Sequence, residues 1–235
     1  MSLTLPFVGR RKEAVQLRRL HMQRKHALIL GPAGVGKTAL ICDTATRLPL
    51  FICPCSARLS DICSALEGQL RLEAGGAQLI ARKNRLLRAL AEAGQTVVFD
   101  GVERTTPRLS SFLEYVMESV PVWIAARSEH SRDIGHVWPL LARFVKVEIK
   151  PFHPAETREL IEASIRLGIA PTSAADAAEQ LHQLCDGNPG VLGQLIEGLA
   201  TGQYDPHKKF DLRLLDLDRR IQQLPNKVVC QAGEL

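Results

Sequence analysis

Nowhere in the 235-residue sequence does an apolar run reach the roughly 18 residues that a membrane-spanning helix requires. The opening MSLTLPFVGRRKE turns to charge before a signal-peptide core could form. Both absences predict a soluble cytoplasmic protein with no membrane partner. Paired CxxC cysteines, which commonly build zinc knuckles, are missing too: the six cysteines stand at Cys42, Cys53, Cys55, Cys63, Cys185 and Cys230. Reduced thiols follow, and Cys53 and Cys55 of CPC read as the end of an apolar strand. The sequence has no internal repeat and no long low-complexity tract.

Acid is scarce near the N-terminus. GRRKEAVQLRRLHMQRKH holds Arg10, Arg11, Lys12, Arg18, Arg19, Arg24 and Lys25 against the single acid Glu13. The whole chain has a net charge of +5 and a pI near 9.0, which favours acidic partners without establishing nucleic-acid binding. Two readings stay open for the segment: a solvated helix face with Val15, Leu17 and Leu20 turned partly inward, or a DNA-contacting surface.

With 46% hydrophobic residues, the chain can bury the core of one medium domain, or of a core domain plus a small second one. Apolar runs bounded by turn or polar residues recur at HALILG, LFICPCS, TVVFDG, PVWIAA and FVKVEI and read as buried strands. Helical stretches lie between them (GKTALICDTATRL, RLSDICSALEGQLRL, AQLIARKNRLLRALAEA, RLSSFLEYVMESV). That alternation predicts a parallel sheet with helices on both faces up to about residue 150. Beyond KPFHP, Pro151 and Pro154 punctuate the chain and no further strand is expected. PAETRELIEASIRLG starts near Pro154 and closes on Gly168; TSAADAAEQLHQLCDG offers Thr172 or Ser173 as N-cap and Gly187 as C-cap. PGVLGQLIEGLA follows, then the polar TGQYDPHKK and FDLRLLDLDRRIQQL.

Within LILGPAGVGKTAL, Gly31, Gly36, Lys37 and Thr38 fit G-x-x-x-x-G-K-[ST], the P-loop or Walker A pattern, between a predicted strand and a predicted helix. Glycines let successive backbone N–H groups form a concave nest, and the helix adds its positive dipole end, so polyphosphate is held largely by backbone. The predicted cradle runs from Gly31 through Pro32, Ala33, Gly34, Val35, Gly36, Lys37 and Thr38 to Ala39. Lys37 would reach the β- and γ-phosphates, and Thr38 would bind magnesium. TVVFDGVER supplies a second metal anchor, Asp100, at a strand's C-terminal end, where parallel sheets open towards ligands. Glu103 is the nearest carboxylate that could orient water; it reads equally as a solvent-facing loop residue.

Walker A, an intervening strand, Walker B, then VWIAARS and a helical tail resemble the AAA+ superfamily and the related STAND signalling ATPases over nearly the whole chain. FVGRRKE is similar to the segment that precedes the P-loop in origin-recognition-type ATPases and STAND proteins. The resemblance puts Phe7, Val8, Gly9 and Arg10 near the adenine, with Val8 and Gly9 as nucleotide contacts. It implies a polar sensor at Arg127, after the fourth core strand. It also implies an arginine finger at Arg143 that reaches a neighbouring subunit's nucleotide, and hence a homo-oligomer; a plain surface arginine is the competing reading. A second sensor arginine, expected at the position of Gly190, is absent, whereas Gly187 and Pro189 match the G-x-P of STAND proteins, with Pro189 near the adenine. The AAA+ Walker B glutamate is replaced by Gly101.

The expectation is therefore an α/β three-layer P-loop NTPase core over 1–150, a small all-helical lid over 151–204 and a C-terminal helical segment over 205–235. The expected ligands are ATP or ADP with Mg2+. The expected function is an ATP-binding, slowly hydrolysing switch that oligomerises with ATP. DNA is a candidate partner through Arg10 to Lys25, and an unidentified protein partner is also expected. The alternative is a STAND-like signalling regulator with slow or no hydrolysis.

Overall fold

The computed structural model describes residues 5–55, 58–72 and 78–223. Two compact units divide the chain: Arg10–Lys150, and Met1–Gly9 together with Pro151–Leu235.

The first unit is a three-layer α/β sandwich. Its elements in chain order are α1 (Arg11–Met22), β1 (Ala27–Leu30), α2 (Lys37–Ala45), β2 (Leu50–Pro54), α3 (Leu59–Gln69), α4 (Leu79–Ala93), β3 (Thr96–Asp100), α5 (Pro107–Ser119), β4 (Val122–Ala126), α6 (Ser131–Ile134), a 3-10 turn (Trp138–Arg143) and β5 (Val145–Glu148). All five strands are parallel, in the order β2-β3-β4-β1-β5. Because strand side chains alternate between faces, β1 to β4 each feed two cores, while the edge strand β5 buries only Val147. Leu28, Val97, Phe99, Val122 and Ile124 pack with Ile62, Leu66, Leu86, Leu90 and Phe112 of α3, α4 and α5. Ala27, Ile29, Val98, Trp123 and Val147 pack on the other side with Leu17, Leu20, Leu40 and Ile41 of α1 and α2. Burial of β1, β3 and β4 on both faces explains their near-continuous apolar runs in the sequence. Thr106 and Pro107 start α5, where the Thr106 hydroxyl accepts from Leu109 N.

The basic helix differs from its expected orientation at one residue. Leu17 and Leu20 are buried, but Val15 is 66% exposed, because the helix meets the sheet through a stripe too narrow to include it.

The second unit is helical: α7 (Pro154–Arg166), a 3-10 turn (Thr172–Ala175), α8 (Ala178–Cys185), α9 (Pro189–Ala200) and α10 (Lys209–Gln222). Phe152, Leu160, Ile161, Leu181, Leu192, Leu195, Ile196, Leu212 and Leu215 share its core, with Leu5 and Val8 packed against it. α10 thus buries two leucines in the same core as α9, and the polar stretch between them is tied down by Tyr204, whose hydroxyl donates to Asp218 Oδ2 at 2.6 Å. The expected cap at Thr172 or Ser173 is corrected: those residues form the separate 3-10 turn, and α8 begins only after Ala177. Burial of Ala174 and Ala177 rewards the tighter turn over a continuous helix. Asn188 caps α9, its Oδ1 accepting from Gly190 N at 3.0 Å and Val191 N at 3.3 Å, with Pro189 as first helical residue. Cys230 lies outside the described residues. Among the described residues, no helix is long and apolar enough to cross a membrane.

Candidate nucleotide site

β1 ends at Leu30 and α2 begins at Lys37, so Gly31 to Gly36 form a loop directly on the helix N-terminus. Gly31 N donates to Ala126 O at 3.3 Å, fixing the loop's first residue to the end of β4. A Cβ on Gly31 would lie 2.6 Å from Ile149 O and 2.9 Å from Val35 Cγ1, so only glycine fits. Gly34 and Gly36 adopt φ of 76° and 98°, the left-handed conformations that turn backbone N–H groups inward. Val35, fully buried, pins the loop into the α1–α2 core.

The Lys37 ammonium curls over the loop and donates to Gly31 O at 2.6 Å and Pro32 O at 2.9 Å. Partial burial lowers its pKa below the ordinary lysine value; Arg127 adds to that, while Asp100 and Glu103 oppose it. These four groups therefore form one charge cluster at the C-terminal edge of the sheet. Within it, the Thr38 hydroxyl donates to Asp100 Oδ2 at 2.7 Å. A hydroxyl and a carboxylate, both hard oxygen donors, suit magnesium. No cluster of three or more metal-ligating His, Cys, Asp or Glu side chains occurs among the described residues. Arg127, just past β4, pairs through Nε with Glu103 Oε1 at 2.8 Å. The expected sensor and the expected water-orienting carboxylate thus hold each other. Gly101 has φ of 76° with open space around it, so the residue after Asp100 contributes no side chain.

Arg143, in the same unit, lies apart from this cluster. Arg143 is exposed, at the end of a 3-10 turn leading into Val145, which pairs with Ala27 at the start of β1. The four residues of β1, about 13 Å of strand, separate that edge from the loop of the same chain. Val8, Gly9 and Pro189 belong to the helical unit. There Gly9 (φ 68°) abuts the Glu156 carboxylate, Pro189 is buried in α9, and a Cβ on Gly187 would lie 2.3 Å from Phe152 O.

Arg10 is the residue that the sequence misassigned. It is counted there with the basic surface, yet it is only 4% exposed, and its Nη2 donates to Val35 O at 3.0 Å. Glu13 stands 3.6 Å from its Nη1. The guanidinium therefore braces the phosphate loop from behind. The signal available in the sequence was its place beside Gly9 in FVGRRKE, outside the amphipathic pattern. Arg11, Lys12, Arg18, Arg19, Arg24 and Lys25 remain exposed.

No family model matches the chain. An uncharacterised AAA domain-containing protein of Mycobacterium tuberculosis is 28% identical over 166 residues, covering 68% of this chain and 34% of that protein. The chain thus spans about a third of the length of this curated relative. Among solved structures, a Walker-type ATPase of Pyrococcus abyssi matches with a TM-score of 0.61 and 18% identity, covering 93% of this chain and 77% of that one. The Aeropyrum pernix ORC1 protein, solved in complex with DNA, matches with a TM-score of 0.64 and 13% identity over 96% of this chain and 70% of that one. A STAND protein of Pyrococcus horikoshii with a tetratricopeptide repeat sensor matches with a TM-score of 0.56 and 16% identity, over 93% of this chain and 33% of that one. These solved structures share the chain's fold, which is that of the AAA+/STAND-type P-loop ATPases.

Proposed function

We propose that the chain is a magnesium-dependent ATP-binding switch that hydrolyses ATP slowly. The observation that carries this reading is the Thr38–Asp100 hydrogen bond at the mouth of a glycine-rich loop, which brings together the two oxygen groups that would hold magnesium. Lys37 would release the Gly31 and Pro32 carbonyls and take the β- and γ-phosphates, exchanging two neutral acceptors for anionic ones. Thr38 and Asp100 would hold magnesium, whose positive charge would offset the negative charge of the phosphates. Glu103 would orient water once Arg127 leaves it for the γ-phosphate. That coupling ties a bound third phosphate to the breaking of one ion pair, a two-state element of the kind a switch requires.

Calorimetric titration with ATP and ADP, with and without magnesium, beside a phosphate-release assay, tests this reading. Failure to bind either nucleotide would end it. A second reading, a signalling regulator with little or no hydrolysis, is favoured by the Arg127–Glu103 pair, which occupies the carboxylate that water activation needs. Oligomerisation through Arg143 and DNA contact through the exposed basic residues of α1 complete the proposal. Such DNA affinity would fall steeply with salt.

A further inference from the structure

α10 carries two apolar faces, and among the described residues its unit buries one of them. Leu212 and Leu215 are buried, whereas Phe210, Leu214, Leu217 and Ile221 are 75%, 39%, 52% and 54% exposed. Their spacings of four, three and four residues put them in a single stripe with the d-a-d-a pattern of a coiled-coil seam. The residues flanking that stripe are sorted by sign. Asp211 and Asp218 hold the two e positions on one side; Arg213 and Arg220 hold the two g positions on the other. Tyr204 fixes the Asp218 carboxylate at the seam's edge, and Arg213 is exposed.

We infer that α10 is a homotypic dimerisation helix that pairs in parallel with α10 of a second copy of this chain. The charge pattern selects both the occupant and the orientation. In a parallel pair, a g residue faces the e residue of the partner's next heptad, so Arg213 of each copy meets Asp218 of the other. In an antiparallel pair, g faces g and e faces e, so arginine would meet arginine and aspartate would meet aspartate. A self-complementary seam with those flanks suits an identical helix in the same direction. The 14 residues of α10 make the seam only about 21 Å long. The dimer is therefore weak by itself and forms at high protein concentration.

The test is sedimentation equilibrium of the whole chain, without nucleotide, over roughly 1 µM to 1 mM. Wild type is expected to pass from monomer to dimer. Arg213→Asp replaces both attractive pairs by repulsive ones and is expected to weaken the dimer at least about tenfold. Arg213→Asp with Asp218→Arg re-forms both pairs with signs reversed and is expected to recover most of that loss. Leu214→Asp with Leu217→Asp should abolish dimerisation with the fold intact by circular dichroism. A wild type that stays monomeric throughout overturns the inference, as when another part of the chain or another protein covers the stripe. Tighter association of Arg213→Asp also overturns it, since that variant favours the antiparallel pair. A double variant no better than Arg213→Asp does the same.

Discussion

Replacing Arg10 by methionine keeps most of the side chain's volume and removes its guanidinium, which isolates the brace beneath the phosphate loop. Nη2 reaches Val35 O at 3.0 Å and the residue is 4% exposed, so its loss leaves a carbonyl without that donor in a site that water barely enters. A hydrogen bond from a charged donor is worth about 1.5–3 kcal/mol net. The 3.6 Å approach to half-buried Glu13 adds little. A destabilisation of ~2 kcal/mol is expected, which at about 2–4 °C per kcal/mol for a chain of this size lowers Tm by ~4–8 °C. The second consequence concerns function. Val35 is the buried anchor of the loop, so freeing its carbonyl loosens the N–H groups on either side, and ATP affinity is expected to fall about tenfold, the equivalent of ~1.4 kcal/mol of lost preorganisation. Arg10→Lys should recover part of both effects, because an ammonium can reach one acceptor without spanning two. Differential scanning calorimetry and ATP titration of the three proteins read these quantities. Unchanged ATP affinity in Arg10→Met at reduced Tm would make Arg10 merely structural; an unchanged Tm would refute the brace altogether.

Lys37→Ala is expected to weaken ATP binding by about 2–3 kcal/mol, or roughly 30–150-fold, since it deletes the loop's ammonium; titration calorimetry checks it. Asp100→Asn should retain most nucleotide affinity yet lose magnesium-dependent phosphate release, and Glu103→Gln should slow release similarly. Release at the wild-type rate in Glu103→Gln removes that residue from the mechanism. His26 Nδ1 accepts a hydrogen bond from Val122 N at 3.0 Å, and burial, with help from Arg143, lowers its pKa below 6.5. The neutral form is the folded one, so its contribution is intact above 6.5 and fades as pH falls through the lowered folded value. Urea midpoints should drop over that window in wild type and drop less in His26→Gln. If Arg143 acts across subunits, specific activity should rise with concentration. Arg143→Ala mixed with Lys37→Ala should then regain activity that neither has alone, whereas concentration-independent turnover without such rescue would remove the finger.

The elements of the sheet were legible because their information is local. Strands buried on both faces need unbroken apolar runs, and LILGPAGVGKTAL holds the strand end, the tight loop and the helix start within thirteen consecutive residues. The place of Asp100 at the end of β3 was legible for the same reason, as the first charge after TVVF. The burial of Arg10 was not, because a single arginine among seven basic residues looks like its neighbours until its backbone φ of 58° and its contact with Val35, 25 residues away, are known. The exposure of Val15 and the late start of α8 were equally hidden, since helical periodicity gives a face its direction but not its width, and a serine or threonine can cap a helix or begin a turn.

By itself the sequence determined the candidates for phosphate and metal, since glycine at a cramped loop, lysine at its end and an aspartate after a strand form a local pattern of geometry and chemistry. Tertiary structure decided which of them stand together. Thr38 and Asp100 stand 62 positions apart, and Arg127 and Glu103 come from different strand ends. They meet because the strand order β2-β3-β4-β1-β5 sets the C-terminal tips of β3, β4 and β1 side by side. Side-chain alternation specifies what each strand buries, but neighbour choice depends on packing summed over both cores, and no stretch of sequence contains that sum.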